Sequence, residues 1–165
     1  MAEASPDRVE AARGRLVVDA GICIGCRACE AACSLTHEGY VAPSLSRIRV
    51  KRSPLNGPDF TPQQCHQCGE PECMASCPVG AIRIDEASGA YAVIVDTEAC
   101  IGCRSCVDAC PYDPPRIMFD ESRGAAYKCD LCGGRPSCVE SCPTGAIVYV
   151  QGGSTWIGED PEGPE

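Results

Sequence analysis

The twelve-residue segment CIGCRSCVDACP, which begins at Cys100, constrains this chain more than any other feature. Cys100, Cys103 and Cys106 recur at three-residue intervals, so their thiols can surround one metal cluster from an irregular loop. Cys110 lies about one helical turn beyond Cys106, so it faces away toward a second site. Pro111 lacks the N–H group that a further turn needs, and it therefore ends the helix. The spacing predicts two neighbouring clusters.

The same arrangement recurs along the chain in two forms. Residues 16–33, LVVDAGICIGCRACEAAC, match residues 93–110, VIVDTEACIGCRSCVDAC, and we call these segments A units. Residues 65–82, CHQCGEPECMASCPVGAI, match residues 129–147, CDLCGGRPSCVESCPTGAI, and we call these B units. The order A, B, A, B indicates an internal two-fold repeat.

Cysteine accounts for 16 of the 165 residues, a level typical of disulfide scaffolds or metal frameworks. The N-terminal sequence MAEASPDRVEAARGR has neither an apolar run nor a twin-arginine pair, so we expect a cytoplasmic protein, in which disulfides are disfavoured. The chain has only eight aromatic residues for an ordinary core. We therefore expect metal clusters to form the core and the metal-free chain to be largely unfolded.

Zinc is the main alternative to iron–sulfur clusters, because CxxC pairs also build structural zinc sites. Zinc sites normally separate their two pairs by a dozen or more residues, whereas here three or four cysteines fall close together in each of four motifs. The pattern favours four 4Fe-4S clusters with thiolate ligands. His37 and His66 lie near motifs, and we expect them to be neighbours of the clusters or surface groups rather than ligands.

Charge and hydropathy exclude several classes of partner. The formal charge of −9 would become about −17 with four oxidised clusters, each bringing about −2 with its thiolates. Nucleic acid is therefore excluded as a partner, and the acidity serves either docking on a basic protein surface or solubility alone. No apolar run approaches the roughly 18 residues of a membrane span.

The pairing of the motifs follows from the predicted strands. Residues 81–85 and 90–96 form a hairpin around the turn at 86–89, so the first B unit and the second A unit make one two-cluster module. If that contact is repeated, residues 146–150 pair with residues 16–19, and the ends of the chain close a second module. Consecutive motifs could pair instead, because sequential elements are usually neighbours.

This spacing resembles that of bacterial ferredoxins, in which the fourth cysteine of a motif ligates the other cluster of a pair. The resemblance implies an α+β fold of two fused ferredoxin-like two-cluster modules, with short hairpins and short helices around the clusters. The predicted parts are a mobile N-terminal arm (1–14), an outer module (15–36 plus 129–150), an inner module (63–111), connecting segments (37–62 and 112–128) and an acidic C-terminal tail (151–165).

The nested arrangement uses every cysteine, since the first three of each motif hold one cluster and the fourth serves the partner cluster. The four predicted ligand sets are Cys23, Cys26, Cys29 and Cys142; Cys129, Cys132, Cys138 and Cys33; Cys65, Cys68, Cys73 and Cys110; and Cys100, Cys103, Cys106 and Cys77. No iron is left open to substrate, and no nucleotide loop or nucleophile arrangement is present. We therefore predict electron transfer without catalysis.

The connecting segments and the tail carry three further features. The basic run at residues 47–52 is either a solvated edge strand or a contact for an acidic partner surface. Residues 117–119 and 125–128 predict another hairpin. In the tail, Trp156 and Ile157 are the only apolar pair, and the tail is either disordered or anchored at a subunit interface through the tryptophan.

Residues 16–150 resemble the four-cluster ferredoxin-type subunits of molybdenum and tungsten oxidoreductases, including formate dehydrogenases, dimethyl sulfoxide reductases and hydrogenase complexes. The segment KCDLCGGRPSCVESCPTGAI is most similar to the small subunit of tungsten-dependent aldehyde oxidoreductases. Two departures, Ser34 in place of a proline and the sequence Tyr112-Asp-Pro-Pro, predict altered helix exits.

The resemblance also implies partners. It implies a hetero-oligomer with a large catalytic subunit that holds the pterin cofactor, and a flavin or other redox subunit as a further candidate partner. A free-standing polyferredoxin shuttle and an electron-transfer subunit of a formate dehydrogenase or hydrogenase are the alternatives.

Overall fold

The computed structural model describes residues 12–52 and 58–156. Its strands are short: β1 (Arg15–Val18), β2 (Arg49–Arg52), β3 (Phe60–Gln63), β4 (Ile82–Asp85), β5 (Ala92–Val95), β6 (Ile117–Asp120), β7 (Ala125–Lys128), β8 (Ile147–Gln151) and β9 (Ser154–Trp156). The helices are α1 (Ala28–Glu38), α2 (Glu72–Ala75), α3 (Ser105–Asp108) and α4 (Ser137–Glu140). Short 3-10 turns occupy Ala20–Ile22, Pro43–Leu45 and Leu131–Gly134. The result is a small mixed fold of hairpins and few helices.

The two ends of the described chain meet in one sheet. Strand β1 pairs antiparallel with β8, with Leu16 opposite Tyr149 and Val18 opposite Ile147. Leu16, Tyr149 and Ile147 are buried, so the apolar residues of both strands share a face toward the core. The pairing predicted for the two terminal strands is confirmed.

The remaining sheets are two-stranded hairpins, with β4 on β5, β6 on β7 and β2 on β3. The first two are the hairpins that the sequence predicts. The third contains the basic run: Val50 is buried opposite Pro62, whereas Lys51 and Arg52 are exposed. The alternation of buried and exposed residues is that of a strand with one solvated face.

The structure differs from the prediction where the N-terminal arm ends and where the C-terminal tail begins. Strand β9 pairs with β8, so residues 154–156 belong to the sheet rather than to a disordered tail. On the N-terminal side, Arg13 Nη1 donates to the carbonyl of Cys68 at 2.6 Å, and Gly14 N donates to the carbonyl of Ala90 at 2.9 Å. Local composition marks both segments as polar, but residues far along the chain hold the N-terminal segment, and the adjacent strand β8 holds β9. Residues 1–11 and 157–165, with Ile157, lie outside the described residues.

Two apolar cores are built around cysteines. The first contains five buried cysteines together with Leu16, Ile48, Leu131, Val139, Ile147 and other residues. The second contains Cys106 with Ile82, Val93, Ile117 and Ala126. Cys65 packs in the first core beside Cys129, although the sequence assigns these two residues to different modules. The proposed modules therefore share a buried boundary.

In the described ranges, no helix has both the length and the hydropathy needed to cross a bilayer.

Candidate metal centres

Left-handed backbone shapes both CIGC loops. Gly25 and Gly102 have φ of 69° and 72°, and Arg27 and Arg104 have φ of 61° and 64°. Residues in this region turn the chain sharply, which lets cysteines three positions apart face a common point. Gly102 also approaches its surroundings closely, because a β-carbon built on it would lie 2.6 Å from the carbonyl oxygen of Gly124.

We expect Gly102→Ala to weaken the metal site more than a matched glycine substitution elsewhere. Gly80 has a similar φ of 65°, but a β-carbon there meets nothing within 4 Å. Both variants carry the strain of alanine at positive φ, about 1–3 kcal/mol, and only Gly102→Ala adds a backbone clash of about 2 kcal/mol. The rate at which visible absorbance is lost on heating measures the difference. Equal rates for the two variants would contradict this account of the loop.

One cavity brings together four cysteines from two motifs, Cys65, Cys68, Cys73 and Cys110. We call these four the Cys73 group. Burial raises the pKa of Cys73, the charge of Lys128 lowers it, and the thiolates of Cys65, Cys110 and Cys68 raise it, with a net upward shift. The four thiols line one cavity, so their charges act on one another across it.

Backbone amides point at two sulfur atoms of the Cys73 group. Arg116 N donates to Cys110 Sγ at 3.2 Å, and Gln67 N donates to Cys65 Sγ at 3.5 Å. Such donors stabilise the anionic form of sulfur, which is the form that binds metal. The donor from Arg116 depends on the path of the chain after Cys110, where the sequence departs from the resemblance.

A second cavity is lined by Cys77, Cys100, Cys103 and Cys106. We call these four the Cys106 group. Burial raises the pKa of Cys106 to about 11, and the thiolates of Cys100, Cys73 and Cys103 contribute to the increase. Helices α2 and α3 pack together and carry Cys73 and Cys106 on facing turns. The fourth cysteine of the first B motif, Cys77, therefore joins the three loop cysteines of the second A motif.

Helices α1 and α4, which carry Cys33 and Cys138, also pack together. Cys129 packs in the same buried core as these two residues, and the sulfur atoms of Cys33 and Cys132 lie 3.8 and 4.0 Å from ring nitrogens of His37. We call Cys33, Cys129, Cys132 and Cys138 the Cys138 group. Burial raises the pKa of Cys138 well above its usual value, and the thiolates of Cys129, Cys33 and Cys132 add to the shift. Arg47 N donates to Cys33 Sγ at 3.3 Å.

The last group contains Cys29 with Cys26 and Cys142, and we call it the Cys29 group. Burial raises the pKa of Cys29 to about 12, the carboxylate of Glu30 raises it further, and the thiolates of Cys26 and Cys142 contribute. Cys23, the fourth predicted member, precedes Cys26 on the same loop.

The four groups form a row. Cys29 and Cys138 pack in one buried core, Cys65 and Cys129 pack in the same core, and the packed helices α2 and α3 carry Cys73 and Cys106. Neighbouring groups are therefore linked in the order Cys29 group, Cys138 group, Cys73 group, Cys106 group. The middle link joins a cysteine of the predicted outer module to one of the inner module.

A buried glutamine that the sequence does not single out reinforces the middle link. Gln67 Nε2 donates to the carbonyl of Cys129 at 2.7 Å, and Gln67 Oε1 accepts from Val93 N at 2.7 Å. The side chain thus satisfies one backbone group from each predicted module. Gln67 lies between Cys65 and Cys68, and its backbone has a positive φ of 51°.

An ionic network beside the Cys138 group was also missed, although the sequence contains a signal for it. Ser34 Oγ donates to the carbonyl of Glu30 at 3.0 Å, and without a proline there α1 continues to Glu38. The extension carries His37 to Asp130, with Nε2 to Oδ1 at 3.0 Å. Arg47 Nη1 donates to the same carboxylate at 2.8 Å. The predicted change of helix exit at Ser34 is therefore observed.

The network surrounds His37 with hydrogen-bond acceptors. Burial lowers the pKa of His37, but hydrogen bonds to Asp130, Cys132 and Cys33 outweigh burial and raise it well above its usual value. Burial raises the pKa of Asp130, but the hydrogen bond to His37, the charge of His37 and backbone hydrogen bonds together outweigh burial and lower it. His37 Nδ1 donates to the carbonyl of Cys33 at 2.7 Å. His66 lies elsewhere and stacks on Tyr112 with ring centroids 4.3 Å apart.

The chemistry of these donors fits iron–sulfur clusters. All sixteen cysteines are free thiols. Burial raises the pKa of five of these thiols, so each would become a buried thiolate only where a metal cation accepts its charge. Cavities lined by four soft sulfur donors, with amides directed at sulfur, suit 4Fe-4S clusters.

Comparisons with known proteins identify the same chemistry. A family model described as a 4Fe-4S dicluster domain matches residues 58–151, and a 4Fe-4S binding domain matches residues 20–39. The two matches together contain all sixteen cysteines of the chain.

Three relatives extend this result. The polyferredoxin-like subunit of aliphatic sulfonate oxidoreductase from Pyrococcus furiosus is 48% identical over 120 residues, which cover 73% of this chain and 66% of that protein. The protein YsaA of Escherichia coli is 38% identical over 142 residues, 80% of this chain and 86% of that protein. The hydrogenase-2 operon protein HybA of Escherichia coli O157:H7 is 30% identical over 167 residues, and this chain spans half of its length. The chain belongs to the 4Fe-4S dicluster domain family of ferredoxin-type electron-transfer proteins.

Proposed function

We propose that this chain relays single electrons through four 4Fe-4S clusters, one in each cysteine group. The row of adjacent groups is the observation that carries the proposal. Each bound cluster would supply a one-electron carrier whose potential depends on hydrogen bonds to sulfur, solvent access and local charge. The polypeptide would hold the carriers in sequence and separate them from solvent, without a reaction of its own.

The solvent exposure of the cysteines supports entry and exit of electrons at the two ends of this row. Among the sixteen cysteines, only Cys26 and Cys103 are exposed, and they belong to the first and last groups. Beside them, Ile24 is 60% exposed and Ile101 is 63% exposed. Large exposed apolar side chains next to a redox centre favour docking of another protein. Electrons would therefore enter at one of these ends and leave at the other.

The partner that fits best is the catalytic subunit of a molybdenum or tungsten oxidoreductase with a pterin cofactor, with tungsten-dependent aldehyde oxidoreductase preferred. The resemblance of the segment at residues 128–147 supports this choice, and the Pyrococcus relative is named as a subunit of an oxidoreductase. A flavin or other redox subunit would complete a cytoplasmic hetero-oligomer. The match to HybA favours a hydrogenase complex as the second candidate.

Anaerobic purification tests the relay. We expect about sixteen iron atoms and as many sulfides per chain, and a paramagnetic signal after reduction with dithionite. Far fewer iron atoms, or no signal on reduction, would contradict the proposal. A colourless preparation that contains zinc would instead support a structural zinc protein.

The assembly is tested separately by purifying the protein from its native source under anaerobic conditions. A large stoichiometric partner that contains molybdenum or tungsten is the expected result. Elution of the loaded chain by itself would favour the free-standing shuttle, and a nickel-containing partner would favour the hydrogenase.

A further inference from the structure

Lys128 is a buried cation with little compensation from the protein. It is 4% exposed, and its ammonium group donates to the carbonyl of Val93 at 2.8 Å. Among the described residues, no carboxylate lies within salt-bridge distance of its Nζ atom. A buried charge normally has a partner of opposite charge, because desolvation is otherwise too costly.

Two acidic side chains share a cleft with Lys128, and both already have other partners. Asp130 and Asp85 line the cleft on one side of Lys128. Asp130 binds His37 and Arg47, and Asp85 Oδ1 accepts from Ala87 N at 3.2 Å. Neither carboxylate therefore accounts for the burial of the lysine.

On its other side, Lys128 lines the cavity of the Cys73 group. The same cavity is lined by Cys65, Cys68, Cys73 and Cys110. The side chain of Lys128 therefore lies beside the thiols of that cavity. Four thiolates around a 4Fe-4S cluster carry a net charge of about −2, which is the missing countercharge.

We propose that Lys128 is the electrostatic partner of the cluster site formed by Cys65, Cys68, Cys73 and Cys110 and raises the reduction potential of that site. This inference rests on the proposed function. Uptake of one electron changes the charge of the site from about −2 to about −3, with no bond made or broken. A fixed positive charge beside the site stabilises the reduced form more than the oxidised form. Lys128 is thus a positioning residue that tunes one carrier in the row.

Three variants of the full-length loaded protein test the assignment. Lys128→Met removes the charge and keeps a long side chain, and Lys128→Arg keeps the charge. Lys51→Met is the matched control, because Lys51 is the other lysine of the sequence and is exposed on β2. Iron and sulfide are counted for each protein, and the reduction steps are followed by paramagnetic resonance in a redox titration.

For Lys128→Met we expect the equilibrium constant of one reduction step to fall at least tenfold, which is about 59 mV for one electron. Lys51→Met should leave every step in place, and Lys128→Arg should keep the affected step within threefold. The step that moves should be the one that Cys68→Ser also perturbs, since Cys68 belongs to the same cavity. A shift confined to a step that Cys68→Ser leaves unchanged would overturn the assignment.

The possible outcomes separate this inference from the relay itself. Full iron content with unchanged reduction steps in Lys128→Met would overturn the role of Lys128 and leave the relay intact, whereas unloaded wild-type protein would overturn the relay. Lys128→Met could instead lose one cluster, which is about four iron atoms. In that case, a full iron content in Lys128→Arg would support a requirement of the cluster site for positive charge. Loss in both variants would mean that the site requires the shape of lysine, and this too would overturn the inference.

Discussion

Anaerobic removal of iron is expected to unfold this protein rather than to leave a stable apoprotein. Both apolar cores contain cysteine thiols as members, and large buried side chains such as Leu131 and Ile147 pack directly against them. The hairpins have strands of three to five residues, and an isolated hairpin of that size is marginally stable in water. Without metal, the cores would contain buried thiols around empty space, so metal binding and folding should be coupled.

Far-UV circular dichroism and amide hydrogen exchange, recorded with a thiol reductant before and after chelation, measure this effect. We expect the far-UV signal to lose most of its structured component and nearly all amides to lose protection. Rebuilding the clusters with iron and sulfide should restore both signals, which controls for irreversible damage. A cooperative thermal transition in the metal-free chain would show that the polypeptide has a sufficient core of its own.

Replacing Cys110 and Cys73 together should cost the protein no more iron than replacing either of them. Both cysteines line one cavity, so Cys110→Ala, Cys73→Ala and the double variant should each lose a single cluster, about four iron atoms of sixteen. If consecutive motifs shared clusters, Cys110 would serve the cluster of the Cys138 group. The double variant would then lose about eight iron atoms.

A second pair provides the control for this experiment. Cys103 lines the neighbouring cavity, so Cys103→Ala combined with Cys73→Ala should lose two clusters, about eight iron atoms. For both pairs of variants, the number of clusters is measured by iron analysis and by the size of the paramagnetic signal after reduction. Additive loss in the Cys110 and Cys73 pair would contradict the nested ligand sets.

Local spacing explains what could be predicted for the fold. The hairpins β4–β5 and β6–β7 were predicted because short β-branched or aromatic runs flank a turn, and both features are adjacent in the chain. The pairing of β1 with β8 was a harder prediction, since about 130 residues separate the strands. It followed only from assuming that the second module copies the first, and the register of Leu16 with Tyr149 now supports it.

For the candidate site, too, local features could be predicted from the sequence and long-range ones could not. The identity of its donors is local information, because each CxxC loop and the cysteine one turn beyond the third ligand lie within a single motif. The division of the donors among cavities is not local information, because it depends on the packing of α1 on α4 and of α2 on α3. For this reason the sequence leaves two pairings of the motifs open, and the cavity that holds both Cys110 and Cys65 favours the nested one.

The sequence by itself determined that this chain binds metal through cysteine, that the cysteines come in four motifs, and that its strands form short hairpins. Only the tertiary structure decided that β9 extends the terminal sheet, that His37 reaches Asp130, and that Lys128 is buried beside a cysteine cavity. Motif spacing is fixed by covalent geometry within a few residues. The burial of a charge depends on segments far apart in the chain, such as β7 against the carbonyl of Val93, and these meet only when the cores close.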